Sequence, residues 1–382
     1  MLKDAVYWIA LAHLPGWGNF KINCLINKII TENTLSLEEF FQLTTADWKD
    51  KYVLKDKEID DLKKVKSELP NIAFISESLY NQGFEIISVT SPEYSKTLKN
   101  NLKVEYSPPL LYIKGDKQML EENSIAIVGS RISSDISLRF TDNIAKLASK
   151  EFKVVVSGFA KGVDKQALDS AIKYIGRSII VLPQGVMTFG FGYKAYYNQI
   201  VEGNVLVLST FFPKAPWRAD LAMARNPIIY GLAKDIYVAE SSDKGGTWSG
   251  VKDGLRKGRK IFVRKPDDGE NNANNLLIQI GAVPVDFNGV ELKPVYPPST
   301  EVKNPILIQN SDNSIEKNIQ SILKERPLKA KEILVKLKLD WTMKKLTNFL
   351  SKLDFIEVSK EKGCNKYKIK GMEDTTQIKL FG

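Results

Sequence analysis

Residues 124–164, SIAIVGSRISSDISLRFTDNIAKLASKEFKVVVSGFAKGVD, are the most informative part of the sequence for the fold. It contains one pattern twice: a short apolar run, predicted to be a β-strand (125–128, then 154–156), ends in a turn of Gly and Ser that opens directly into a helical pattern. Glycine lets the backbone approach a ligand closely, and the N–H groups at a helix start lack intrahelical partners, so each turn can bind an anion. Arg131 and Lys161 add side-chain charge to the two turns.

The two turns do not match a dinucleotide-binding site. That fingerprint requires G-x-G-x-x-G after the first strand and an acidic residue at the end of the second. Here the first turn is Gly129-Ser130-Arg131, and the second strand ends in Ser157-Gly158. One such turn alone is more typical of an ordinary tight turn in a parallel sheet. Two in succession favour a ligand site, and we expect no dinucleotide or other cofactor.

The alternation of strand and helix patterns continues downstream. Strand-like runs recur at 179–182, 205–208, 236–239 and 261–263, separated by helical stretches such as 193–201, 217–232 and 247–257. This order predicts an α/β fold with a Rossmann-like parallel sheet. Because parallel strands end at the same edge, the turns at 129–131, 157–162, 183–185 and 240–247 are expected to share it. Several anion sites along one edge suit a polyanion.

At this point the chain resembles a known family. Its motifs are IAIVGSR, VVVSGFAKGVD, SIIVLPQGV, MARNPIIYGLAKDIYVAE, GGTWSG, GRKIFV and NNLLIQIGA, in that order. Over about residues 80–285 their order and spacing are similar to those of the DNA-processing protein A (DprA/Smf) family. The resemblance implies a protein that binds single-stranded DNA and loads a bacterial recombinase during natural transformation. We also expect a homodimer.

The resemblance carries phosphate-binding roles onto particular residues. These positions are Ser130, Arg131, Ser157, Gly158, Lys161, Gly162, Arg225 and Asn226. We add the other residues of the strand-end turns to the predicted DNA site: Gly129, Lys244, Gly245, Gly246 and Trp248. Trp248 is interpreted as a base-stacking residue in the glycine loop, and Trp217 as a core residue. Asp164 and Glu240 are interpreted as acceptors that fix loops, Glu240 through the amides of the glycine loop.

Some positions depart from the family pattern. Ala167-Leu168 replaces the usual Ala-His, and Arg225-Asn226-Pro227 replaces Arg-Asn-Arg. The Tyr-Pro that usually follows the third strand is absent. The departures leave three cellular roles open: transformation, general recombination, or a specialised role such as defence against invading DNA.

The alternative function is a nucleotide-binding hydrolase of the lysine decarboxylase-like phosphoribohydrolase type, with Glu240 as the acid. General acid–base catalysis needs positioned partners, and the comparable turns offer only Asp164 as a second acid. The single histidine, His13, cannot build a catalytic or metal site alone. Cys24 and Cys364 are too far apart in sequence to indicate a zinc site or a disulfide framework. We therefore predict a binding protein without a metal site rather than an enzyme.

Composition and charge suggest the organisation of the 382-residue chain. No apolar run approaches 18 residues and the N-terminus lacks a signal-peptide pattern, so we expect a cytoplasmic protein with no membrane contact. The predicted parts are a helical, helix-hairpin-helix-like domain (1–75), a Rossmann-like DNA-binding core (76–292), a linker (293–313), a winged-helix-like domain (314–370) and a tail (371–382). Residues 314–370 hold 15 Lys and Arg against 7 Asp and Glu. Such an excess is typical of nucleic-acid binding, and both DNA contact and a protein-docking or dimer-regulating role stay open for this domain.

Overall fold

A computed structural model of the protein describes residues 4–292, 312–324, 327–337, 341–351, 353–361 and 364–370. The chain divides into two compact units, Met1–Pro294 and Val295–Gly382. The predicted linker lies outside the described residues except for its last two positions, and the predicted tail lies outside them entirely.

The first unit begins with a layer of helices. Two of them start at capping boxes, Ser36 with Glu39 and Thr44 with Asp47, which pair the free N–H groups of the first turn. A π-helical turn, Lys28–Glu32, follows α2 directly. The helices are α1 (Ala5–Ala12), α2 (Asn19–Asn27), α3 (Leu37–Gln42), α4 (Thr45–Asp50), α5 (Asp56–Ser67) and α6 (Leu69–Asn81).

A nine-stranded sheet forms the centre of the first unit, in the order β1-β2-β6-β5-β4-β3-β7-β8-β9. The strands are β1 (Glu85–Ser88), β2 (Leu110–Lys114), β3 (Ser124–Val128), β4 (Val154–Ser157), β5 (Ser178–Val181), β6 (Val205–Ser209), β7 (Asp235–Val238), β8 (Ile261–Arg264) and β9 (Val283–Val285). Strand β2 pairs antiparallel with β1 and β6, and the pairs from β6 to β9 are parallel. The predicted α/β class with a Rossmann-like parallel core is confirmed.

Helices cover both faces of the sheet. They are α7 (Lys96–Leu102), α8 (Asp135–Lys150), α9 (Val163–Lys173), α10 (Gly190–Ala195), α11 (Tyr197–Val201), α12 (Ala219–Leu232), α13 (Gly246–Arg256) and α14 (Asn274–Gln279). Ile125 and Ile127 of β3 pack with residues of α8 and α9, whereas Ala126 and Val128 belong to the larger cluster that includes α12. Burial on both faces explains why the strand sequences read as unbroken apolar runs. No helix within the described residues has the length and apolar composition needed to cross a bilayer.

The connectivity places a crevice at the carboxyl edge of the sheet. The chain runs from β3 outward through β4 and β5 to β6, and then returns to place β7 on the opposite side of β3. Ligands of open α/β sheets bind where the strand order reverses in this way. The turns after β3, β4 and β7 therefore meet at the switch point.

Two helix boundaries differ from the predictions. The helix predicted over 193–201 is two short helices, α10 and α11, separated at Tyr196. The helix predicted to begin at Trp217 begins at Ala219, because Arg218 is extended (φ −146°, ψ 149°). Trp217 therefore lies in the preceding loop, and this difference changes its interpretation.

The second unit is a small α/β module. Its elements are α15 (Asp312–Leu323), β10 (Leu328–Lys329), α16 (Ala330–Lys336), α17 (Met343–Leu350), β11 (Ile356–Glu361) and β12 (Cys364–Ile369). Strand β12 pairs antiparallel with β10 and β11. The core of the second unit includes Ile319, Leu346 and Tyr367. The order of helices followed by a hairpin is that of a winged helix, and the assignment stays an interpretation.

Candidate functional site

The first turn is a loop held in place by Glu240. Residues 129–134 separate β3 from α8, so the prediction that this turn opens directly into a helix is wrong. The Glu240 carboxylate accepts from the Ser134 N–H (3.0 Å) and hydroxyl (2.6 Å), and its main-chain oxygen accepts from the Ser130 N–H (2.9 Å). Glu240 thus fixes the first turn. The prediction that it accepts from the amides of the glycine loop is wrong, because its carboxylate accepts from Ser134.

The second turn packs directly against the first. Gly162 has φ 79°, and a Cβ atom there would overlap the main-chain oxygen of Ser130, so only glycine fits. Val163 donates its N–H to the same oxygen at 3.3 Å, and a Cβ on Gly129 would lie 2.5 Å from the Val163 side chain. The two predicted anion turns are therefore neighbours at one edge. Ser157 is buried and donates to the Ile127 carbonyl at 2.9 Å, so its hydroxyl supports the sheet rather than the site surface.

A buried arginine and a buried aspartate lie behind these turns. Asp164 is 7% exposed and Arg225 is 4% exposed. Burial raises the pKa of Asp164 and lowers the pKa of Arg225, and the charge of each partner opposes the shift of the other. Asp164 also accepts hydrogen bonds from the N–H groups of Gly158 and Ala160. Its place is that of a loop acceptor, as the sequence suggests.

Arg225 is anchored, but part of its hydrogen-bonding capacity is unused. Its Nη1 donates to the Val181 carbonyl at 2.7 Å, and its guanidinium lies on Gly158, where a Cβ atom would overlap it. The Nε atom is buried without a hydrogen-bond partner among the described residues. A buried donor left unpaired costs free energy, and a bound acceptor would relieve that cost. Arg225, to which the resemblance assigns phosphate binding, is therefore a buried and fixed part of the site wall.

The glycine loop forms the third side of the site. Lys244 and Gly245 are exposed, and Gly245 has φ 91° just before α13 begins at Gly246. Asn226 donates to the main-chain oxygen of Gly246 at 3.3 Å, which links α12 to this loop. Loop residues Ser242 and Lys244 are joined by a 2.7 Å hydrogen bond from the Ser242 hydroxyl to the Lys244 carbonyl.

The burial of Trp248 and Trp217 is the reverse of what the sequence predicts. Trp248 lies in the first turn of α13 and packs against the core, so its predicted position in the glycine loop is wrong. Trp217, predicted to be core, is 52% exposed. The cause is the start of α12 at Ala219, which leaves Trp217 in a loop above the sheet edge.

These elements enclose two adjoining cavities. The first cavity has a volume of about 580 Å³ and extends over the first turn, α12 and the glycine loop, where its lining includes Gly129, Ser130, Arg131, Asp164, Asn226, Lys244, Gly245 and Gly246. The second cavity, about 320 Å³, is lined by Gly158, Phe159, Lys161, Pro183, Gln184, Phe189 and Trp217. Arg131, Ala160, Ala222 and Arg225 line both. One arginine-rich wall thus separates two recesses.

The exposed charged residues that line the cavities are positive. Arg131, Lys161 and Lys244 are exposed, and none of the three forms an ion pair with another described residue. Cations without an internal partner are available to a bound anion. In the part of the chain that the structure describes, no group of three His, Cys, Asp or Glu side chains is arranged to hold a metal ion.

The single histidine lies away from this site. His13 follows α1, and its Nε2 is 2.9 Å from the Tyr112 hydroxyl on β2. Its ring also contacts Phe212 edge-on, and burial lowers its pKa to about 4. His13 therefore joins the helical layer to the sheet, as expected for a structural residue.

Comparison with known proteins identifies the family. The family model of DNA recombination-mediator protein A matches residues 85–290, which include the strands, turns and helices that form both cavities. The chain belongs to this family. The resemblance inferred from the sequence motifs is confirmed.

Several family members are similar to this chain over different lengths. The DNA processing protein DprA of Streptococcus pneumoniae is 31% identical over 179 residues, which cover 46% of this chain and 63% of that protein. Protein Smf of Synechocystis is 25% identical over 320 residues, 76% of each chain. The X-ray structure of the pneumococcal DprA matches with a TM-score of 0.58 and 25% identity, covering 75% of this chain and 95% of that one.

The departures from the DprA/Smf pattern have definite places in the structure. Leu168, where the family usually has histidine, is 1% exposed in the core, so an apolar side chain fits. Pro227 lies inside α12, and the helix continues through it. Sequence reasoning missed the aromatic lining of the second cavity, Phe159 and Phe189. Of these two residues, only Phe159 could have been found from the sequence, because it lies within the second anion turn.

Proposed function

We propose that this protein binds single-stranded DNA along the carboxyl edge of its sheet and acts as a recombination mediator. The observation that carries the proposal is the pair of adjoining cavities with a common wall of Arg131 and Arg225. Membership of the recombination-mediator family supports it. A polymer with a repeated anion and a repeated flat base fits two recesses separated by cations.

The recessed shape favours a single strand over a duplex. Bases of a single strand are free to turn into cavities, whereas a base of a duplex enters only after it is unpaired and unstacked. The exposed cations Arg131, Lys161 and Lys244 stand at the rims, where phosphates of the same strand would lie. Backbone N–H groups of the glycine turns add donors that recognise phosphate without reading sequence.

The hydrolase alternative receives less support from the site. Glu240, its candidate acid, is held by two hydrogen bonds to Ser134 and does not line either cavity. Asp164 lines the first cavity, but it is engaged by main-chain N–H groups and the charge of Arg225. General acid–base catalysis needs a group free to exchange a proton with substrate. We therefore infer a binding protein rather than an enzyme.

The remaining parts of the proposal rest on family membership and composition. They are a bacterial recombinase that receives the strand, a homodimeric state and a cytoplasmic location.

The test is a competition experiment with a labelled single strand. Unlabelled single-stranded DNA should displace it at lower concentration than duplex of the same sequence, and mononucleotides should compete weakly. Incubation with nucleoside monophosphates should release no free base. Base release that Glu240→Gln abolishes, with DNA binding retained, would instead support the hydrolase.

A further inference from the structure

An exposed aromatic residue stands at the mouth of the second cavity. Trp217 is the one exposed tryptophan of the six in the chain, and all six lie within the described residues. It lines the second cavity together with Arg131 and Lys161. Proteins that bind single strands stack bases on aromatic side chains within positively charged grooves. The partly exposed indole of Trp217 beside Arg131 and Lys161 has this arrangement.

The loop that carries Trp217 is fixed in position. Ala215 accepts from the Gly185 N–H (2.9 Å) and from the Thr188 hydroxyl (3.1 Å), and Pro213 accepts from the Met187 N–H (3.0 Å). Gly185 has no room for a Cβ atom beneath this loop. The base-stacking surface is therefore held before any ligand binds, which reduces the entropy lost on binding.

The same loop reaches the helical layer. The Lys214 ammonium lies 5.9 Å from the ring centroid of Phe74 on α6, and Phe74 is 68% exposed. Lys214 forms no ion pair with another described residue. Trp217 is three positions after Lys214 in the sequence, so their Cα atoms are at most about 11 Å apart. An aromatic, a cation and a second aromatic thus follow one another from the cavity to α6.

We propose that the single strand leaves the second cavity over Trp217 and continues across Lys214 to Phe74, which makes α6 part of the DNA site. The inference rests on the proposed function and extends it beyond the strand-end turns. Trp217 and Phe74 each stack a base, and Lys214 contacts a phosphate between them. We infer a nucleic acid strand as the occupant because this surface continues the second cavity and carries the unpaired positive charge of Lys214.

Tryptophan fluorescence and affinity are measured with thymidine oligonucleotides of about 6 and about 20 nucleotides, a range that spans typical single-strand site sizes. Binding should quench the fluorescence of the parent protein. Trp217→Phe should remove most of the quenching and keep the affinity within about twofold, because phenylalanine also stacks; Trp217→Ala should weaken binding on the order of tenfold.

Phe74→Ala should weaken binding of the longer oligonucleotide about fivefold and leave the shorter one unchanged, because the shorter strand ends within the cavities. Tyr80→Ala is the matched control. Tyr80 is 57% exposed on the same helix, but six residues place it about 120° around the axis. The affinity of Tyr80→Ala for both oligonucleotides should equal that of the parent protein.

The outcomes separate this inference from the function on which it rests. If the parent binds neither oligonucleotide, both are wrong. If it binds, but Phe74→Ala matches it at both lengths and quenching persists in Trp217→Phe, the path across α6 is wrong and the strand-edge site stands.

Discussion

Replacing Gly158 with alanine should disturb both the fold and the site through one residue, Arg225. A Cβ atom at position 158 would overlap Nη1 and Cζ of the guanidinium. Arg225 is 4% exposed and lines both cavities, so its head group must shift toward one of them. It must leave the Val181 carbonyl, to which it now donates at 2.7 Å.

The expected magnitude follows from what is lost. A hydrogen bond from a charged group contributes about 1.5–3 kcal/mol, and forcing an extra methyl group into a packed site costs about 1–3 kcal/mol. Because the guanidinium relieves part of the overlap by shifting toward the cavities, these costs do not add in full, and the free energy of unfolding of Gly158→Ala should fall by about 2–4 kcal/mol. Affinity for single-stranded DNA should fall on the order of tenfold or more, because Arg225 forms the wall between the two cavities.

Urea denaturation followed by circular dichroism measures the first quantity, and fluorescence anisotropy with a labelled oligonucleotide measures the second. Gly190→Ala is the matched control, since a Cβ atom there meets nothing within 4 Å, and its unfolding free energy should change by less than about 1 kcal/mol. Combining Gly158→Ala with Arg225→Ala should destabilise less than the sum of the single changes, because the overlap disappears. Parent-like stability and affinity in Gly158→Ala would show that the position of Arg225 does not depend on the space above Gly158.

Two further predictions concern charge. The pKa of His13 is about 4 in the folded protein against about 6.5 when unfolded, so the unfolded state binds more protons between these values and stability is lost as pH falls from 6.5 to 4. The free energy of unfolding lost in this way is at most about 3 kcal/mol. The variant His13→Gln should not show this pH-dependent loss, and unfolding curves of the parent and the variant, measured across this pH range, should therefore diverge. Arg131→Ala should weaken single-strand binding more than Lys161→Ala, because Arg131 borders both cavities and a guanidinium grips phosphate bidentately. Equal titration curves for the parent and Arg131→Ala would show that the shared wall is not in the DNA site.

The sheet and the location of the site follow from local sequence. Apolar runs such as 125–128 are buried on both faces, and the turns after them contain glycines whose positions the packing requires, such as Gly162. Parallel strands then bring these turns to one edge, so the neighbourhood of Arg131, Lys161 and the glycine loop is predictable.

The exposure of individual site residues is not predictable in the same way. A shift of two residues in the start of α12 places Trp217 in the open, and helix starts are among the least certain features of a sequence pattern. Arg225 is buried because Gly158 leaves space for its guanidinium, a contact across 67 residues that no local motif encodes. Glu240 likewise finds its partner, Ser134, in a distant turn.

We propose that a single strand of DNA occupies the two cavities and their cationic rim. The most direct measurement is the equilibrium affinity for single-stranded DNA and for duplex of the same sequence, determined over a series of salt concentrations. We expect tighter binding of the single strand, with a log–log slope of about −0.7 for each phosphate contacted, and a shallower slope for Arg131→Ala. Equal affinity for duplex, or an affinity for the single strand that does not change with salt, would contradict it.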